Sequence, residues 1–161
     1  MKQHYSVIVV GGGIVGATTA CALATAGIEV ALLDVHNPLR DWPTDAPADI
    51  RVSALTRASQ NILTALDAWP AMQQRGVGAY DQMHVWDANS AGLLHFDAVD
   101  TDYAVLGHIV ENRVTVAALW DKLEALPSAT ILCPAKVSDL ECQTDKAQIK
   151  LEDGSLLTAD V

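Results

Sequence analysis

Three glycines and one acid carry the clearest chemical signal in this chain. Gly11, Gly13 and Gly16 stand in a G-x-G-x-x-G spacing directly behind the apolar run Tyr5 to Val10, and Asp34 closes the next apolar run. Each position has a task in dinucleotide recognition. Gly11 permits a tight turn, Gly13 lets the backbone approach a pyrophosphate, and Gly16 lets a helix pack closely on the preceding strand. A helix starting here offers free N–H groups and a positive dipole end to phosphates. Asp34 can accept hydrogen bonds from the adenosine ribose hydroxyls, and its charge would repel a 2′-phosphate. The competing reading is a purely structural strand-to-helix turn. The motif by itself does not choose between NAD and FAD.

Other candidate groups are less specific. Arg51 either reaches a pyrophosphate or flavin, or pairs with Asp49 or a neighbouring acid. Glu111, Asn112 and Arg113 form a polar cluster at a helix start, where simple capping is the alternative. His84, His95 and His108 fall on separate expected strands without ligand spacing, so no metal site is expected. No G-x-S-x-G nucleophile motif is present, which removes support for hydrolase chemistry. Trp42, Trp69, Trp86 and Trp120 read as core or domain-boundary packing rather than stacking platforms.

The elements that must position these groups follow from hydrophobic periodicity. Tyr5 to Val10 is a short β-branched run, as expected of a strand buried on both faces of a parallel sheet. Ile14 to Ala26 is rich in small residues and ends at Gly27, predicting a glycine-terminated helix. Ile28 to Leu33 is the second strand, completing a βαβ unit. Asn37 to Ile50, with Pro38, Pro43 and Pro47, is a long irregular excursion. Ser53 to Trp69 is expected to be one helix, with Leu55, Ile62, Leu63 and Leu66 on one side and Pro70 stopping it. Gln82 to Trp86 and Leu93 to Phe96 form an expected antiparallel hairpin, and Leu106 to Val110 a further strand. Asn112 can cap a helix running to Leu126. Ala129 to Cys133 is a third parallel strand. Ala135 to Glu141, Ala147 to Leu151 and Ser155 to Val161 form a small antiparallel meander.

The expected fold class is α/β: a Rossmann-like βαβ with a parallel sheet and β-meander, plus the first antiparallel strands of a second domain. The expected organisation is a nucleotide-binding domain in 1–74, resumed in 111–161, with 75–110 as strands of a substrate domain. A last strand still under way at Val161 reads as truncation, and the incomplete sheet predicts self-association through an open edge.

Bulk properties narrow the function. Half the residues are hydrophobic (50%) and 19% are charged, which fits a packed globular protein. The formal charge of −10 repels nucleic-acid phosphates and anionic lipid headgroups, so neither is expected as an electrostatic partner. Cys21, Cys133 and Cys142 have no C-x-x-C spacing, which points to a reducing cytoplasm rather than a disulfide or zinc framework. The apolar run before Gly11 is too short to span a membrane.

Four stretches together resemble a known family: VIVVGGGIVGATTACALATAGIEVALLD, RVSALTRASQNILTALDAW, MHVWDA and GHIVENRVTVAALW. They look like the ubiquinone-biosynthesis flavin hydroxylases, within the wider p-hydroxybenzoate-hydroxylase-like monooxygenases. MHVWD is more similar to the 2-polyprenylphenol ring hydroxylases than to the demethoxyubiquinone hydroxylases. The resemblance implies FAD at the glycine motif, with Gly11, Gly13, Gly16 and Asp34 facing its ADP half. It implies that Arg51 contacts the flavin and that Asn112 contacts the cofactor from a helix start. It further implies NAD(P)H or another reductant as electron donor, and a polyprenylated phenol as substrate. A lipid-tailed substrate brings with it peripheral membrane contact or a ubiquinone-biosynthesis complex. The family's Asp-Gly and Gly-Asp motifs would lie beyond Val161, so the chain is expected to be the first part of such an enzyme and inactive alone. The rival readings are another FAD or NAD oxidoreductase that shares only the βαβ unit, and a non-catalytic scaffold.

Overall fold

The structure is a computed structural model that describes residues 3–43 and 45–160. Position 44 of the expected excursion and position 161 of the last expected strand lie outside the described residues, as do positions 1 and 2. The first elements are β1 (His4–Tyr5), β2 (Val7–Val10), α1 (Ile14–Thr25) and β3 (Val30–Leu33). There follow β4 (Val52–Thr56), α2 (Arg57–Ala65), α3 (Trp69–Arg75), β5 (Gly78–Tyr80), β6 (Gln82–Trp86) and β7 (Leu93–Asp97). The rest are β8 (Gly107–Glu111), α4 (Asn112–Glu124), β9 (Ala129–Leu132), β10 (Val137–Cys142), β11 (Ala147–Leu151) and β12 (Leu156–Ala159).

Two compact units result, one of Met1–Ala46 with Thr115–Val161, the other of Pro47–Val114. The division passes through α4. In the first unit, β2, β3 and β9 form the expected parallel sheet, with β3 in the centre. All four β3 side chains are buried, as a continuous apolar run in a two-sided parallel strand requires. Ala17, Ala20, Cys21 and Ala24 are the buried face of α1, at the i, i+3, i+4, i+7 spacing of one helical stripe. Their small size lets the helix lie close to the sheet.

The expected meander β10-β11-β12 forms a second sheet, to which β1 adds in parallel beside β12. Tyr5 to Val10 is therefore not one strand. Its first part serves the meander and its second the parallel sheet, with Ser6 between them. Tyr5, Ala31, Leu33, Ile149, Leu151 and Leu157 close the core between the two sheets.

In the second unit, β4, β8 and β5 form an antiparallel sheet in that order, and β6 and β7 form the expected hairpin. The single helix expected from Ser53 to Trp69 is corrected here. Val52–Thr56 pairs residue for residue with Gly107–Glu111, so sheet hydrogen bonds claim these residues before the helix begins. Thr56 then caps α2, its hydroxyl accepting the Ser59 N–H at 3.3 Å. Asp67 turns the chain at a φ of 58°, and Pro70 falls in the first turn of α3 rather than ending a helix. Proline suits that place because a first-turn N–H has no helical acceptor. Leu63 and Leu66 are buried, but Ile62 is exposed.

Candidate nucleotide-binding site

The glycine turn lies where β2 hands the chain to α1. Gly11 adopts a φ of 101° and donates its N–H to the Leu33 carbonyl at 2.7 Å, tying the turn to β3. That φ favours glycine, and the turn depends on it. Gly13 precedes α1 in extended conformation, and its carbonyl accepts the Ala17 N–H at 2.9 Å. The N–H groups of the first helical turn have no acceptor within the helix, so they remain available to an anion.

Gly13 and Gly16 are glycines for different reasons. A Cβ on Gly16 would lie 1.9 Å from the Gly11 carbonyl oxygen, so the fold itself forbids a side chain there. A Cβ on Gly13 would meet nothing within 4 Å, and Gly13 is exposed. The fold leaves room at Gly13 and makes no steric demand for glycine there.

Asp34 closes β3 and braces the turn. Its Oδ2 accepts the Gly12 N–H at 2.6 Å, and its Oδ1 accepts the His36 N–H at 2.9 Å. Each carboxylate oxygen keeps a further acceptor site. Beside it, Cys133 has its thiol pKa pushed up by burial and by the Asp34 charge.

Sequence reasoning missed one partner of the turn. Trp120, buried on α4, donates its indole Nε1–H to the Gly12 carbonyl at 2.8 Å. A Cβ on Gly12 would come within 2.4 Å of the indole Cζ2. The available signal was a glycine at a position where the motif permits any residue.

Arg51 and Asn112 belong to the second unit, where they are backbone neighbours: the Asn112 N–H donates to the Arg51 carbonyl at 2.9 Å. The expected pairing of Arg51 with Asp49 involves the Arg51 N–H, 3.0 Å from Asp49 Oδ1. Among the described residues the exposed Arg51 guanidinium makes no ion pair. Asn112 is the first residue of α4, and its Oδ1 accepts the Ser53 hydroxyl at 2.6 Å. Glu111 accepts both the Asp49 N–H at 2.9 Å and Arg113 Nε at 2.6 Å, while Arg113 Nη2 reaches the Pro47 carbonyl at 3.1 Å. The polar cluster thus straps residues 47–51 down. The turn residues and Asp34 are brought together in the first unit, and Arg51 and Asn112 in the second.

His84 and His95 are direct cross-strand partners, with stacked rings 4.2 Å apart, a pairing that spacing along the sequence did not reveal. His108 packs edge-on against Trp69 at 5.0 Å, and burial and the Arg57 charge hold its pKa below the ordinary imidazole value. Among the described residues no three His, Cys, Asp or Glu side chains gather to hold a metal. Nor is any helix there long and apolar enough to cross a membrane.

Residues 9–59 match the family described as NAD(P)-binding Rossmann-like domain. The chain is 32% identical over 158 residues to the 3-demethoxyubiquinol 3-hydroxylase of Escherichia coli K12, which covers 98% of this chain and 40% of that protein. It is 34% identical over 153 residues to the ubiquinone hydroxylase UbiL of Rhodospirillum rubrum, covering 95% of this chain and 35% of that one. Among solved structures, p-nitrophenol 4-monooxygenase PnpA from Pseudomonas putida DLL-E4 superposes with a TM-score of 0.75 over 99% of this chain and 40% of its own, at 23% identity. PqsL from Pseudomonas aeruginosa, a probable FAD-dependent monooxygenase, gives 0.69 over 96% and 40%, at 20% identity. These structures establish the fold. The chain spans about 40% or less of the length of the curated relatives it matches. Over nearly all of its own length, this chain is similar to ubiquinone-biosynthesis hydroxylases at about 30% identity.

Proposed function

We propose that the chain supplies the ADP-binding part of an FAD-dependent monooxygenase acting on a polyprenylated phenol of ubiquinone synthesis. The observation that carries this reading is the turn from Gly11 to Gly16, where the fold accounts for Gly16 but leaves Gly13 bare, exposed and beside a helix start. The residues present fit the ADP half of FAD. First-turn N–H groups of α1 would face the pyrophosphate, Gly13 would admit it, and the open acceptor sites of Asp34 would take the ribose hydroxyls. Arg51 and Asn112 are proposed as further cofactor contacts. On this reading 1–74 and 111–161 form the FAD-binding domain and 75–110 the first strands of the substrate domain.

When bound, FAD supplies the redox chemistry, with NAD(P)H or another donor as reductant, and delivers one oxygen atom of O2 to the ring. The chain's own part is to bind, orient and exclude water. The MHVWD stretch resembles the 2-polyprenylphenol ring hydroxylases and the E. coli relative is a 3-demethoxyubiquinol 3-hydroxylase, which supports polyprenylated phenols as a class and no single ring position. A lipid-tailed phenol favours contact with a membrane surface or with partner enzymes.

The family match over residues 9–59 favours a second reading, an NAD(P)-dependent oxidoreductase with the same turn. Denaturing the purified parent protein and identifying the released nucleotide separates the two. Released FAD, together with phenol-dependent oxygen uptake, is the expected outcome. Stoichiometric NAD(P) with no flavin would overturn the reading.

A further inference from the structure

We propose that Trp120 is a positioning residue for nucleotide binding, holding the Gly12–Gly13 peptide so that its N–H faces outward; this rests on the ADP reading above. Both polar groups of Gly12 are taken by side chains of the protein. Its N–H goes to Asp34 Oδ2 at 2.6 Å and its carbonyl to the Trp120 indole at 2.8 Å. Gly12 is buried and Gly13 exposed, so the peptide between them crosses from core to surface. In a planar trans peptide the C=O and the following N–H point in opposite directions. Fixing the Gly12 carbonyl on a buried indole therefore turns the Gly13 N–H away from the core, to the side where an anion would sit. A flipped peptide would present a carbonyl oxygen to that anion instead, and repel it.

The pair is also matched in shape. Any side chain at Gly12 would strike the indole, its Cβ lying 2.4 Å from Cζ2 and 3.0 Å from Cε2. Glycine at this position is thus demanded by Trp120 rather than by the nucleotide. Trp120 itself touches no nucleotide in this scheme, and acts through the turn.

The test uses the full chain, with ADP and FAD as probes in calorimetric titration and thermal unfolding read in parallel. W120F removes the donor and the outer ring while keeping an aromatic core. Loss of one buried hydrogen bond to the turn is expected to weaken ADP binding about tenfold in the folded protein. The control L123A empties part of the same buried helix face and is expected to lower the melting temperature with an unchanged dissociation constant. The Gly12→Ala substitution is expected to weaken binding strongly beside the indole and by less than about threefold in the W120F background, a non-additivity that contact between the two positions requires. Equal dissociation constants for W120F and the unaltered chain, or strict additivity of the two substitutions, would overturn the positioning role while leaving the nucleotide reading intact. An unaltered chain that binds neither ADP nor FAD would overturn both.

Discussion

At the scale of single residues, the three motif glycines separate into two that the fold needs and one, Gly13, on which it makes no steric demand. Gly16→Ala places a methyl group 1.9 Å from a backbone oxygen, which only a shift of helix against strand can relieve. It is expected to cost at least about 3 kcal/mol, the upper end of overpacking penalties, and to lower the melting temperature accordingly. Gly13→Ala adds its methyl group to open space at an ordinary backbone angle, so the melting temperature should move by no more than about 1 kcal/mol worth of stability. Its ADP affinity should nevertheless fall. Were G13A to bind ADP as well as the unaltered chain, the assignment of Gly13 to the pyrophosphate would be wrong. His108 offers a second residue-scale test. Its folded pKa lies below the ordinary 6.5, so the unfolded chain binds the proton more readily. The stability it contributes is complete above the unfolded value and is lost as pH falls from there toward the folded one. Urea midpoints should therefore drop below about pH 6.5, and H108F should flatten that part of the profile.

At the scale of elements, the first βαβ unit was legible because each of its signals is local. An apolar run, a glycine turn, a small-residue stripe and Gly27 at a φ of 81° all lie within one stretch of sequence. The meander was legible for the same reason. What escaped was set by partners distant in the chain. Val52–Thr56 became a strand because Gly107–Glu111 lies beside it, and no periodicity inside Ser53 to Trp69 could announce that. The brace of Trp120 on Gly12 spans 108 positions and escaped likewise. The excursion after β3 is another case. Arg40 ties it to α4 through Asp121 at 3.4 Å and Glu124 at 2.7 Å. These carboxylates are 40% and 52% exposed, so the clip should contribute less than about 1 kcal/mol to global stability. R40A is expected to leave the melting temperature nearly unchanged while cleavage between Asn37 and Ile50 accelerates in limited proteolysis. A large fall in melting temperature without faster cleavage would mean that Arg40 supports the core rather than the excursion.

At the scale of the whole molecule, a formal charge of −10 opposes the approach of an anionic nucleotide to the turn proposed to receive it. The two effects differ in range. The helix start and the glycine N–H groups act as dipoles over a few ångströms, whereas the net charge acts across the surface. In water without salt, ten charges at ~20 Å repel each unit of negative charge by about 2 kcal/mol. At physiological ionic strength a Debye length of ~8 Å removes most of that repulsion, while contacts made inside the turn are little affected. ADP should therefore bind more tightly as salt rises from about 20 to 150 mM, contrary to the usual weakening of charge-driven binding. Arg51 is proposed as a cofactor contact, and the same titration tests that proposal, because a cation beside the phosphates would add an attraction that salt also screens. If affinity instead falls with salt, and R51Q restores the rise, Arg51 reaches the bound phosphates. If affinity rises in both proteins, the dipoles of the turn hold the nucleotide against the field of the chain, and Arg51 acts elsewhere.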